Sequence, residues 1–150
     1  MKVFLTGGTG FVGSEVLRQL VSAGHSVRAL VREGSEDKLT VTDGVEIHPG
    51  DISDAASLVG GPEGCDAVIH LVGIIREFPG RGVTFKKMHL LGTENVLEAA
   101  EEQGVSRYLH MSSNGTRERS NTGYHRTKWQ AEQSVRNSNL EWTIFRPSLI

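Results

Sequence analysis

Cysteine is nearly absent from this chain. Cys65 stands alone, so no internal disulfide can form, and a reducing, cytoplasmic setting is expected. An excess of either charge is absent too. Sixteen Lys and Arg are interspersed with 18 Asp and Glu for a net charge of −2, which excludes the basic patch of a nucleic-acid binder. No apolar run approaches the roughly 20 residues that a membrane span needs. The six histidines lack metal-ligand spacing, so no metal site is expected. There is no repeat, low-complexity stretch or linker. Met1 stands just before the first apolar run with no charged leader, so no targeting segment is expected. The length of 150 residues suits one domain with a real core.

What the chain does have is glycine in the right place. Val3, Phe4 and Leu5 read as a buried strand that breaks into Gly7, Gly8, Gly10 and Gly13, after which helical periodicity begins. Such a turn lets bare backbone N–H groups approach a pyrophosphate at a helix N-terminus. Gly8, Gly10 and Gly13 satisfy the dinucleotide-binding spacing, and Gly7, Gly10 and Gly13 satisfy a second one. Ser14 follows Gly13 where a Walker loop needs Lys, which excludes that loop. A tight strand–helix turn without a ligand is the other reading.

Strand and helix signals then alternate. Val12, Val16, Leu17 and Leu20 share a helical face that Gly24 ends. Strands are expected at 25–31, around Val45 and Ile47, at 67–72, at 105–111 and at 142–145. Ser53 is expected to cap a short helix through Leu58, and longer helices are expected at 84–103 and 123–136. Right-handed crossovers turn this order into an α/β, Rossmann-type, doubly wound parallel sheet of strand order 3-2-1-4-5-6. Loops 73–82 and 114–122 follow strand C-terminal ends, where ligands bind in open α/β sheets.

Tyr124 and Lys128 lie four apart on an expected helix and so share a face. That spacing suits a phenol whose proton transfer is helped by an ammonium. Working at pH 7 requires lowering the tyrosine pKa by roughly 3 units, about 4 kcal/mol, which one close cation supplies at an effective dielectric of about 20. Ser112 and Ser113 end the fifth strand; they are either hydrogen-bond donors to a substrate carbonyl or ordinary strand-end serines. The second strand ends at Val31-Arg32, where an acidic residue would accept the ribose 2′-OH of NAD. Arg32 suits the 2′-phosphate of NADP, although Glu33 is close enough to serve NAD. NADP is therefore the expected cofactor, with NAD second.

Taken together, Thr6 to Gly13, Gly50-Asp51-Ile52, Gly92 to Ala100, Met111-Ser112-Ser113, Tyr124 to Lys128 and Arg146-Pro147-Ser148 span the chain. They resemble the extended or atypical branch of the short-chain dehydrogenase/reductase superfamily, in its epimerase/dehydratase-like and NmrA-like group. His70 to Glu77 is similar to a narrower subgroup, related to an accessory subunit of respiratory complex I. The resemblance implies an NAD(P)-dependent oxidoreductase or epimerase. It implies Tyr124 as general acid/base, Lys128 on the nicotinamide ribose and on the Tyr124 pKa, and Ser113 polarising the substrate. Gly7, Gly10, Phe11, Val12 and Gly13 would hold the pyrophosphate region, Asp51 and Ile52 the adenine, and Leu71, Val72 and Gly73 the rest of the cofactor.

Three departures go with it. His89 stands where the family helix has Asn, the segment from Ser113 to Tyr124 is short, and the substrate lobe of about equal length that family members carry does not follow Ile150. The expectation is a segment of a longer protein, or a domain working with a protein partner or as a homo-oligomer. The alternative function is a nucleotide-bound scaffold or redox sensor. The small-molecule substrate is not legible.

Overall fold

The computed structural model describes residues 1–150. Six parallel strands form one sheet: β1 (Lys2–Thr6), β2 (Ser26–Val31), β3 (Val45–Pro49), β4 (Ala67–His70), β5 (Arg107–Met111) and β6 (Glu141–Phe145). Their order is β3-β2-β1-β4-β5-β6, as expected, with the chain reversing direction across the sheet between β1 and β4. Register pairs Thr6 with Leu30 on one side and with His70 on the other, so the C-terminal ends of the central strands are level.

Alternation along the strands builds two cores. Phe4, Val68 and Tyr108 point to one face, where α2 (Gly92–Glu102) and α3 (Gly123–Asn137) cover them through Val96, Leu97, Ala100 and Val135. Leu5, Val27, Ala29 and Val31 point to the other, under Leu17 of α1 (Phe11–Ser22). Beyond α1, that second face carries Ile69, Leu109 and Phe145; Leu109 is half-buried and Phe145 is 49% exposed. The core also holds polar rings. His70, His89, His110 and the Tyr108 phenol are all buried.

Three local features differ from the sequence reading. The short helix at Ala55–Leu58 is a 3₁₀ turn capped by Asp54, whose carboxylate accepts from the Ala56 N–H; Ser53 instead donates its own N–H to Asp51. β4 stops at His70; the Leu71 N–H makes a last bond to the Thr6 carbonyl, and Leu71 and Val72 run on beside the glycine turn. The long helix expected at 84–103 starts as a π-helical turn, Lys86–Leu91, before α2. The extra residue in that turn brings both Met88 and His89 inside. Gly92 makes room for Ile52: a Cβ there would lie 2.5 Å from the Ile52 Cδ1.

Gly13 carries the turn from β1 into α1. A Cβ at this position would overlap the Gly7 carbonyl, which is backbone and cannot move aside. Gly13→Ala is therefore expected to destabilise the fold by at least the ~3 kcal/mol upper range of overpacking, while Gly10→Ala, whose Cβ would sit 3.3 Å from the Gly7 oxygen, costs far less. Urea unfolding midpoints of the two variants check this; equal midpoints would refute it.

Candidate active site

Two cavities meet at the C-terminal ends of β1 and β4. The first is a cleft of about 230 Å³ whose floor is the glycine turn. Gly7 adopts φ 82°, a left-handed value, and its carbonyl accepts from the Gly10 N–H at 3.0 Å. A Cβ on Gly7 would sit 3.2 Å from the backbone between Leu71 and Val72. Gly8 faces away, toward Leu5 and Leu39. Gly7 and Gly10 line the cleft, and Gly13 packs α1 onto the turn.

Eight of the residues expected at a cofactor line this cleft together: Gly7, Gly10, Arg32, Asp51, Ile52, Leu71, Val72 and Gly73. The lining fits a cofactor phosphate, because Gly7 and Gly10 leave backbone bare at the turn just before the N-terminus of α1. Arg32 is exposed at its edge and its side chain makes no hydrogen bond or ion pair within the chain, whereas Glu33 does not line the cleft. Arg28 is committed elsewhere, to the carbonyls of Gly60, Gly61 and Glu63 and to Glu46. Phe11, Val12 and Gly13 lie outside the cleft lining. Phe11 is 83% exposed, Val12 faces the second cavity, and Gly13 is buried beneath the turn.

The second cavity, about 630 Å³, shares Leu71, Gly73 and Ile74 with the first and collects Tyr124, Lys128, Ser112 and Ser113. Tyr124 sits in the first turn of α3, which Thr122 caps by accepting from the His125 N–H. Its ring is held edge-on by Phe85 and His89, at 5.8 and 5.2 Å between centroids. Lys128 is buried one turn further on. Its Nζ donates to the Met111 carbonyl at 2.9 Å, and burial pushes its pKa down to about 8 against an opposing pull from Glu132. A Cβ on Gly73 would lie 3.1 Å from that Nζ, so Lys128 stands at the junction of the two cavities.

The paired serines part company. Ser112 is buried and donates to the Glu132 carboxylate, which Arg146 grips through two nitrogens. Ser113 is the one free to face the cavity; its hydroxyl donates only to the neighbouring Asn114 carbonyl. His89 joins three elements at this point. Its Nδ1 lies 3.0 Å from the Thr127 Oγ1, and its Nε2 lies 3.1 Å from both the N and O of Ile74. Thr127 donates its own proton to the Gly123 or Tyr124 carbonyl, so His89 carries its hydrogen on Nδ1 and accepts the Ile74 N–H at Nε2. Burial, with Lys128 nearby, lowers the His89 pKa to about 3 and keeps this neutral form.

Residues 7–150 match the NAD(P)H-binding family. The chain belongs to that family. This NAD(P)H-binding domain is 32% identical over its whole length to half of a ketoreductase of Stigmatella aurantiaca that acts on 4-hydroxy-2-methyl-3-oxo-4-farnesyl-3,4-dihydroquinoline-1-oxide. It is 30% identical to the mitochondrial NADH-ubiquinone oxidoreductase 40 kDa subunit of Neurospora crassa, over 95% of this chain and 38% of that subunit. A short-chain dehydrogenase/reductase superfamily protein of Agrobacterium tumefaciens, solved with bound NAD, superposes with a TM-score of 0.77 at 27% identity, covering 97% of this chain and 48% of that one. The chain spans half or less of the length of these relatives. No helix of this domain is long and apolar enough to cross a membrane.

Sequence reasoning missed Thr9, Leu30, Gly50, Ile74, Val83 and Met88 in the cleft lining. Thr9 and Gly50 sat inside quoted motifs, so their position was the available signal. Leu30 faces the cleft because strand alternation sends Val31 to the opposite core. Val83 and Met88 arrive through the loop after β4 and the π-helical turn, and no local pattern marks them.

Proposed function

We propose that this domain is the cofactor half of an NADP(H)-dependent oxidoreductase acting on a carbonyl or alcohol, with Tyr124 as general acid/base. The observation that carries this reading is the shared wall. Tyr124 and Lys128 face a cavity that opens through Leu71, Gly73 and Ile74 onto the glycine-floored cleft. When bound, the nicotinamide accepts or donates a hydride. Tyr124 holds the proton that the substrate oxygen gains or loses. Lys128 favours the phenolate electrostatically and offers N–H donors to a ribose at the cavity junction. Ser113 donates to the substrate oxygen, and Glu132 locks its neighbour Ser112 so that the strand end keeps its shape. NADPH oxidation by the full-length protein with a panel of ketones tests this; cofactor binding without turnover on any of them would overturn it.

The choice of NADP over NAD rests on the guanidinium of Arg32 at the cleft edge, which makes no hydrogen bond or ion pair within the chain, while Glu33 does not line the cleft. Arg32→Ala is expected to weaken NADPH binding by about 10- to 150-fold, the worth of a charge-assisted contact of roughly 1.5–3 kcal/mol, and to leave NADH binding nearly unchanged. Titration of both proteins with both cofactors checks it; equal NADPH affinity would sink the assignment.

A second reading, NADP(H) held as a structural or sensing ligand, is favoured by the similarity to the Neurospora 40 kDa subunit. The same turnover assay separates the two. Either way, a downstream lobe or a partner protein is proposed to complete the substrate side.

A further inference from the structure

We propose that His89 is a positioning residue: it clasps the wall segment Gly73-Ile74 to the first turn of α3 and so fixes where Tyr124 stands against the wall that the two cavities share. This rests on the reading of Tyr124 as general acid/base and adds what sets its place.

One buried ring reaches each part of that junction. His89 is 1% exposed. Its Nε2 accepts the Ile74 N–H at 3.1 Å, and Ile74 lines both cavities. Its Nδ1–H donates to the Thr127 Oγ1 at 3.0 Å, and Thr127 donates in turn to the carbonyl of Gly123 or of Tyr124 itself. The imidazole meets the Tyr124 ring edge-on at 5.2 Å between centroids and stacks on Phe85 at 5.3 Å. Gly73 lets the parts close up: a Cβ there would lie 3.1 Å from the Lys128 Nζ and 4.0 Å from the His89 Nε2.

The use of a polar ring points to more than filling space. An apolar side chain would serve packing better, because an imidazole loses its hydration on burial and recovers it only through hydrogen bonds. Here both nitrogens are used, one on each side of the junction. Ile74 lies past the end of β4, and His89 is the sole hydrogen-bond partner of its N–H within the chain. Burial lowers the His89 pKa to about 3, so the accepting nitrogen stays unprotonated. The π-helical turn Lys86–Leu91 is an independent sign. Its extra residue turns His89 inward beside Met88, and such turns are rare and recur at functional sites.

The test uses the full-length protein with NADPH and the fastest-reduced ketone among cyclohexanone, acetophenone and 2-octanone. His89→Phe keeps a ring and removes both hydrogen bonds. It should lower kcat about 10- to 100-fold, the cost of misplacing a reacting group by about 1 Å, more than it raises KM. The NADPH dissociation constant should stay within about threefold, because His89 does not itself line the cofactor cleft. The milder His89→Gln sets an amide where Nε2 stood and loses only the Thr127 side. It should cost kcat about as much as Thr127→Val, and the two changes together should cost no more than either alone, because both cut one link. Thr127→Ser keeps the hydroxyl and should restore kcat. In NMR spectra of isotope-labelled tyrosine, the Tyr124 ring signal, identified by its absence from Tyr124→Phe, should move in His89→Phe and in Thr127→Val.

A folded His89→Phe protein with kcat within about twofold of the parent would overturn the proposal. So would losses that multiply between His89→Gln and Thr127→Val, or losses that follow melting temperature and vanish on cooling. A parent that reduces none of the ketones removes the oxidoreductase reading instead. The Tyr124 ring signal then decides the clasp, which fails if that signal is the same in the parent and in every variant.

Discussion

Tyr124→Phe in the full-length protein is expected to lower kcat by about 100- to 10,000-fold, the usual worth of positioned proton transfer, while the dissociation constant for NADPH stays within about twofold. The substitution isolates the proton. The Tyr124 hydroxyl makes no hydrogen bond within the chain, so its loss leaves no buried partner unsatisfied. The ring contacts with Phe85, His89 and His125 are contacts of a six-membered aromatic face and edge, which Phe reproduces. The whole loss, roughly 2.7–5.4 kcal/mol, is then read as transition-state stabilisation. Lys128→Ala should behave differently and damage cofactor binding and rate together, since its ammonium stands at the junction of the two cavities. Melting temperature and NADPH titration accompany the rate assay. Full activity in a folded Tyr124→Phe protein would remove the acid/base role and put the scaffold or sensor reading first.

The parts of this site that were legible in the sequence are those set by local chain geometry. A strand, four glycines and a helical face determine the turn at Gly7 to Gly13 without help from the rest of the molecule. The four-residue spacing of Tyr124 and Lys128 puts both on one face of α3 wherever that helix packs. The succession of strands and helices, with right-handed crossovers, likewise led to the sheet order and placed Arg32 just past the end of β2. What escaped was set by contacts distant in sequence. The π-helical turn before α2 accompanies the packing of Ile52 onto Gly92, a partner 40 residues away that no helical periodicity records. Glu132 is buried only because Ser112 and Arg146 arrive on it from two other strand ends. His89 stood out only as a departure from Asn. Its role as the joint between Ile74, Thr127 and the Tyr124 ring depends on three elements meeting. The cap likewise falls on Asp54, whose carboxylate accepts the Ala56 N–H, one position past the expected Ser53.

The buried histidines predict a steep loss of stability in mild acid. His70 and His110 stand among the inward positions of β4 and β5, stacked at 5.6 Å between ring centroids, and His89 closes the same layer from the π-helical turn. Burial lowers the pKa of His70 and His89 to about 3 and that of His110 well below its usual 6.5. His70 and His89 are therefore neutral in the folded protein across the window from pH 6.5 down toward 3, and burial holds His110 toward its neutral form as well. In the unfolded chain they take up protons as pH falls through 6.5. The unfolded state binds more protons throughout that window, so stability falls as pH falls. At pH 5 His70 and His89 each contribute a loss of about 2 kcal/mol, about 4 kcal/mol for the two, and His110 shifts stability in the same direction. The sum approaches the lower end of the roughly 5–15 kcal/mol stability of an ordinary domain. Urea unfolding at pH 7.5 and pH 5 should show the midpoint collapse between them. His110→Phe makes the cause separable. Neither His110 nitrogen has a hydrogen-bond partner, so an aromatic replacement breaks nothing in the fold. The variant should stay within about 1.5 kcal/mol of the parent at pH 7.5 and lose less stability than the parent between pH 7.5 and pH 5. Parallel pH dependences for the two proteins would show that the acid loss arises elsewhere than in this buried layer.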